Sequence, residues 1–64
     1  MKTRKIAGEC NRDDCPAVHV SERGTLIFQG DLVHNAPAIK LGCGEQAVEL
    51  PESVVREAVR ALGW

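Results

Sequence analysis

Apolar and polar residues alternate through the segment 18–33. Val18 and Val20 share one side of an extended run, Leu26 and Phe28 share one side of the next, and His19 and Ser21 point the other way. The two runs flank Ser21-Glu22-Arg23-Gly24, where Gly24 is free to take the positive φ that closes a type I turn with a bulge. The pattern predicts a β-hairpin with one apolar face that another element must cover. Gly30, inside Gln29-Gly30-Asp31, marks a bulge or bend before Leu32-Val33 resume the strand. A second, weaker hairpin is expected from Ala38-Ile39-Lys40-Leu41 and Ala47-Val48-Glu49-Leu50, reversing through the glycine-flanked segment 42–46.

Periodicity changes from two to 3.6 after Pro51. Val55, Ala58, Val59 and Leu62 fall at i, i+3, i+4 and i+7 and make one apolar stripe, predicting a helix over 51–62 with Pro51 in its first position. Val54 and Ala61 lie off that stripe and widen the apolar surface. Glu52 with Arg56, and Glu57 with Arg60, are spaced for same-face ion pairs. Gly63 suits a left-handed C-terminal cap, with Trp64 folding back on the last turn as its apolar partner. Residues 1–7 read either as a short edge strand or as a flexible solubilising terminus, and Gly8 to Pro16 as a turn-rich loop. The expected architecture is a single α+β domain over 1–64: a small antiparallel β-sheet of three to five strands covered by one C-terminal α-helix.

Sixty-four residues with one Phe, one Trp and no Tyr leave only a thin aliphatic core, so a crosslink, a metal or a partner is expected to supplement it. Lys2, Arg4 and Lys5 place +3 in the first five residues, and the remaining five basic and nine acidic residues give −4. A body of that sign does not attract phosphate by itself, so nucleic-acid contact would fall to Lys2, Arg4 and Lys5 with Arg12 and Arg23. The basic start is followed by Ile6-Ala7-Gly8-Glu9 rather than by the apolar core of a signal peptide, and no window reaches membrane-spanning length. A cytoplasmic protein without membrane contact is expected.

Cys10, Cys15, His19, His34 and Cys43 are the soft ligands of the chain. Cys10 and Cys15 stand at the upper limit of the spacing at which two thiolates from one turn bind zinc, and His19 and Cys43, or His34 as the alternative, would complete a tetrahedron. The competing states are a Cys10–Cys15 disulfide and reduced thiols without metal, of which the last carries the most weight in a cytoplasmic setting. Cys15 and His19 as nucleophile and base would stand near 13 Å apart on an extended strand at about 3.3 Å per residue. With no phosphate-cradling glycine loop and no second polar constellation, the sequence points away from an enzyme and names no catalytic residue.

Cys10-x4-Cys15-Pro16-x-Val18, then Glu22-Arg23-Gly24-Thr25-Leu26 with Gln29-Gly30, then Glu45-x-Ala47-Val48-Glu49-Leu50-Pro51, resembles a family of short uncharacterised actinobacterial proteins encoded beside helix-turn-helix transcription regulators. The resemblance covers most of the chain and implies an accessory role in transcriptional regulation, without an activity to carry over. It includes the cysteine pair and leaves His19, His34 and Cys43 outside the shared pattern. Val48-Glu49-Leu50-Pro51-x4-Arg56-Glu57 through Ala61-Leu62-Gly63 is similar, over about a quarter of the residues, to the swapped-hairpin DNA-binding domains of antitoxins and transition-state regulators. There the motif comes early and its helix is about a turn shorter. The expectation is a non-catalytic interaction or regulatory module that binds a protein partner or itself; the alternatives are a DNA-binding homodimer and a zinc-stabilised fold.

Overall fold

The computed structural model describes residues 1–8, 15–34 and 37–64. Its elements run β1 (Thr3–Ala7), β2 (Ala17–Ser21), β3 (Leu26–Gln29), β4 (Asp31–Leu32), β5 (Val48–Glu49) and α1 (Glu52–Leu62). The first three strands form one antiparallel sheet in the order β1-β2-β3, and β4 and β5 form a second, two-stranded sheet. The fold is α+β, with the basic N-terminal segment forming the edge strand of the larger sheet.

The expected hairpin is β2–β3, with Val18 opposite Phe28 and Val20 opposite Leu26. Its turn is held largely by one side chain. Ser21 Oγ accepts the N–H groups of Arg23 at 3.1 Å and Thr25 at 3.2 Å and lies 2.6 Å from the Thr25 hydroxyl. The Ser21 N–H donates to the Thr25 carbonyl at 2.9 Å, and Gly24 takes φ 77°, which is the type I turn with a bulge that the sequence pattern calls for. Ser21 is thereby buried with its hydroxyl satisfied.

On the other flank, β1 pairs with β2 in a register that shifts between Lys5 and Ala7, so Lys5 faces His19 and Ala7 faces Val18. The extra residue, Ile6, packs against the core as well. Gly8 ends the strand at φ 94°, and a Cβ there would stand 2.2 Å from the Pro16 carbonyl oxygen. Only glycine lets the two chains leave the sheet this close together.

The core is small: Ala7, Val18 and Ala58, ringed by Ile6, Leu50 and Val54. Among the described residues Val18 is the one large side chain fully out of water. The helix therefore covers the sheet on its β1–β2 side, with Ala58 allowing close approach, and Val54 rather than Val59 turned inward. That corrects the stripe read from the sequence at one position, since Val59 is exposed. Three valines at 54, 55 and 59 give the sequence no way to choose between two overlapping stripes that share Ala58 and Leu62. Pro51 is the N-cap rather than the first helical residue: its ψ is 141° and its carbonyl accepts the Val54 N–H at 3.1 Å.

The Glu52–Arg56 ion pair forms on the exposed face. Glu57, expected to pair with Arg60, instead accepts the Gly8 N–H at 3.2 Å and ties the helix to the end of β1. At the C-terminus Gly63 is left-handed, its N–H donates to Arg60, and the Trp64 N–H donates to Val59, both at 3.1 Å, which is a Schellman cap. The indole does not fold back on the last turn. Trp64 is 78% exposed.

The second hairpin is the main departure from the sequence reading. The returning strand β5 pairs with β4, Asp31 opposite Glu49 and Leu32 opposite Val48, and Ala38 to Leu41 takes no strand. Glu45 folds back so that its carboxylate accepts the Gly42 N–H at 2.6 Å, and the Glu45 N–H donates to the Gly42 carbonyl at 3.1 Å. This closes a local turn, while Ile39 and Leu41 remain half in water with no sheet face to bury against. Gly30 is the corner between the sheets; a Cβ there would stand 2.3 Å from the Glu49 carbonyl oxygen.

Candidate functional site

The described residues among those singled out for metal binding do not form a ligand set. Cys15, just ahead of β2, is disulfide-bonded, so its sulfur offers no thiolate in this state, and Cys43 is a free, exposed thiol in the 42–45 turn. Cys10 lies outside the described residues. The disulfide is not the reduced state that weighed most in the sequence. A chain whose buried core consists of a few small side chains gains from a crosslink that restricts its unfolded ensemble. His19 lies mid-strand on β2, half-buried, with its Nε2–H donating to Gln29 Oε1 at 3.1 Å across the β2–β3 pair. His34 is exposed beyond β4. Among the described residues no three His, Cys, Asp or Glu side chains stand close enough to hold a metal ion.

The basic residues are dispersed for an equally simple reason. Successive side chains on a strand point to opposite faces, so Arg4, opposite Val20, and Lys5, opposite His19, diverge. Lys2 and Arg4 line a shallow hollow of about 250 Å³ together with Val20 and Glu22, and Arg23 sits in the hairpin turn. Arg12 lies outside the described residues. Two further hollows among the described residues are also open surface depressions. The one of about 430 Å³ is bounded by Glu52, Ser53, Arg56 and Arg60 on the outer helix face, and that of about 340 Å³ by Pro16, Asp31, Glu49, Leu50 and Pro51.

What the fold leaves uncovered is a set of large apolar side chains. Phe28, Leu32, Ile39, Leu41, Val48 and Trp64 are all exposed. Each of them carries enough apolar surface to contribute to an interface, and none is covered by the chain's own sheet or helix. No family model, curated protein or solved structure matches the chain. The site must therefore be read from its own surface. Composition alone did not locate this surface, because the sequence reading assigned Phe28 and Trp64 to intramolecular contacts. The available signal was arithmetic: one 11-residue helix is too short to back five strands.

No helix among the described residues is long and apolar enough to cross a membrane.

Proposed function

We propose that this protein is a non-catalytic interaction module, an accessory protein in transcriptional regulation that works by binding another polypeptide. The observation that carries the proposal is the set of large apolar side chains left in water, Phe28, Leu32, Ile39, Leu41, Val48 and Trp64. Among the described residues the open hollows provide no enclosed chamber for a small substrate, and the histidine on β2 is engaged with Gln29 rather than poised beside a nucleophile. The regulatory setting rests on the resemblance read in the sequence at the Glu22-Arg23-Gly24-Thr25-Leu26 and Glu45-x-Ala47-Val48-Glu49-Leu50-Pro51 segments.

The test is site-specific photo-crosslinking at Leu32, Ile39 and Trp64 in cells that make the chain. A discrete protein adduct, whether to a second copy or to another polypeptide, is the expected outcome. Absence of any protein adduct at all three positions overturns the reading.

A further inference from the structure

We infer that the partner is a second copy of this chain, docked along the free edge of β3 to make a continuous six-stranded antiparallel sheet; this rests on the interaction reading above and names its occupant. In the β2–β3 ladder Ser21 bonds to Thr25, and the alternation of an antiparallel pair then makes His19–Ile27 and Ala17–Gln29 the hydrogen-bonded pairs. Leu26 and Phe28 accordingly turn their N–H and C=O groups away from β2. The sheet ends at β3, so those four groups form an open edge.

The two edges of the sheet differ in chemistry. The β1 edge is Thr3-Arg4-Lys5-Ile6-Ala7, preceded by Lys2, bulged and cationic, and two copies of it would repel. The β3 edge is Leu26-Ile27-Phe28-Gln29, with no charge and no bulge. An antiparallel two-fold axis through Ile27, perpendicular to the sheet, pairs Leu26 with Phe28 of the second copy and Phe28 with its Leu26. That register satisfies all four outward groups on each chain through four interchain hydrogen bonds. Such an axis keeps both helices on the same side of the sheet. Phe28, 42% exposed on the helix-covered side opposite Val18, then falls in the strip between the two helices with Leu26 of the other copy beside it. The pairing explains why a phenylalanine on the core-facing side is left uncovered by its own helix.

Native mass spectrometry and light scattering of the disulfide-intact chain test the inference. The unmodified chain is expected to show a two-chain mass whose share rises with concentration. Ile27→Lys and Ile27→Glu place like charges on either side of the axis, and each alone is expected at the one-chain mass. Mixed in equal amounts they are expected to regain a two-chain species containing one of each. Circular dichroism checks that both variants fold. A semisynthetic chain N-methylated at the Phe28 amide, which gives up no bond within the monomer, is expected to dimerise about 30-fold more weakly, because two interchain bonds are lost. A two-chain mass that survives in both Ile27 variants and in the N-methylated chain overturns the β3 edge while leaving self-association, and with it the interaction reading, intact. A one-chain mass for the unmodified protein at every concentration overturns the second copy as partner, and the photo-crosslinking adducts then decide separately whether another polypeptide takes its place.

Discussion

The two sheets of this protein are built by the same antiparallel pairing and end in opposite environments. In the β1-β2-β3 sheet, Ala7, Ala17, Val18 and Ser21 are buried and α1 lies across the β1–β2 half. In the β4–β5 sheet all four residues are exposed, with Leu32 facing Val48 on one side and Asp31 facing Glu49 on the other. Backbone hydrogen bonds are present in both, so they do not account for the difference. A two-stranded ribbon without a covered face is marginal in water, whereas a three-stranded one with a packed helix is not. The single helix backs one sheet, and the second hangs from it through the Gly30 corner and the Leu50–Pro51 approach to α1.

The sharpest way to break the comparison is to make one chemical change in both places. Val18→Asp puts an unpaired carboxylate where the side chain is fully buried, costing several kcal/mol, a large share of what a domain of this size has in total. The expected outcome is loss of the cooperative thermal transition followed by circular dichroism. Leu32→Asp, on the exposed sheet, is expected to shift stability by about 0.5 kcal/mol or less. Comparable losses from both would show that the second sheet shares the core's cooperativity.

Much of the larger sheet was legible in the sequence, and for identifiable reasons. Ser21-Glu22-Arg23-Gly24 encodes its turn locally, through a hydroxyl that serves the backbone and a glycine at positive φ. Gly63 encodes its cap in the same local way. The partner of β5 was not legible, because Ala38 to Leu41 is the apolar run at hairpin distance, whereas fifteen residues separate Leu32 from Val48. The choice is made by the Glu45–Gly42 contacts and by the close backbone approach at Gly30. The candidate site was legible only as a list of ligand types. Spacing placed Cys15 and His19 four residues apart, but the side-chain partner of His19 is Gln29 on the next strand. That contact depends on register, which no linear spacing states.

The disulfide at Cys15 bears on the well-packed side of the comparison, since it sits at the start of β2. Reduction is expected to cost about 2–4 kcal/mol, measured as a drop in the denaturant midpoint with and without reductant. A chelator under the same oxidising conditions is expected to leave the midpoint where it was; a fall of similar size would restore the zinc reading. Next in size is Ser21→Ala, which strands the Arg23 and Thr25 N–H groups and the Thr25 hydroxyl at the hairpin turn. Its expected cost is about 1–2 kcal/mol, and hydrogen exchange should quicken across β2 and β3 before it changes at β4 and β5.

The smallest effect falls on the exposed sheet and has the opposite sign. Asp31 and Glu49 are directly opposed carboxylates on adjacent strands, an arrangement that destabilises a pair by roughly 0.2–1 kcal/mol. Glu49→Lys turns the repulsion into attraction without touching the core, because both side chains stand in water. The substitution is expected to raise the midpoint slightly at low ionic strength and to lose that gain as salt screens the pair. Hydrogen exchange at Val33, whose N–H donates to the Ala47 carbonyl at 2.9 Å just beyond the opposed acids, reports the local effect directly and should slow. Unchanged exchange at Val33 would mean that the exposed ribbon is held by the corner at Gly30 rather than by its own cross-strand pairs, and the two sheets would then differ in what joins their strands as well as in what covers them.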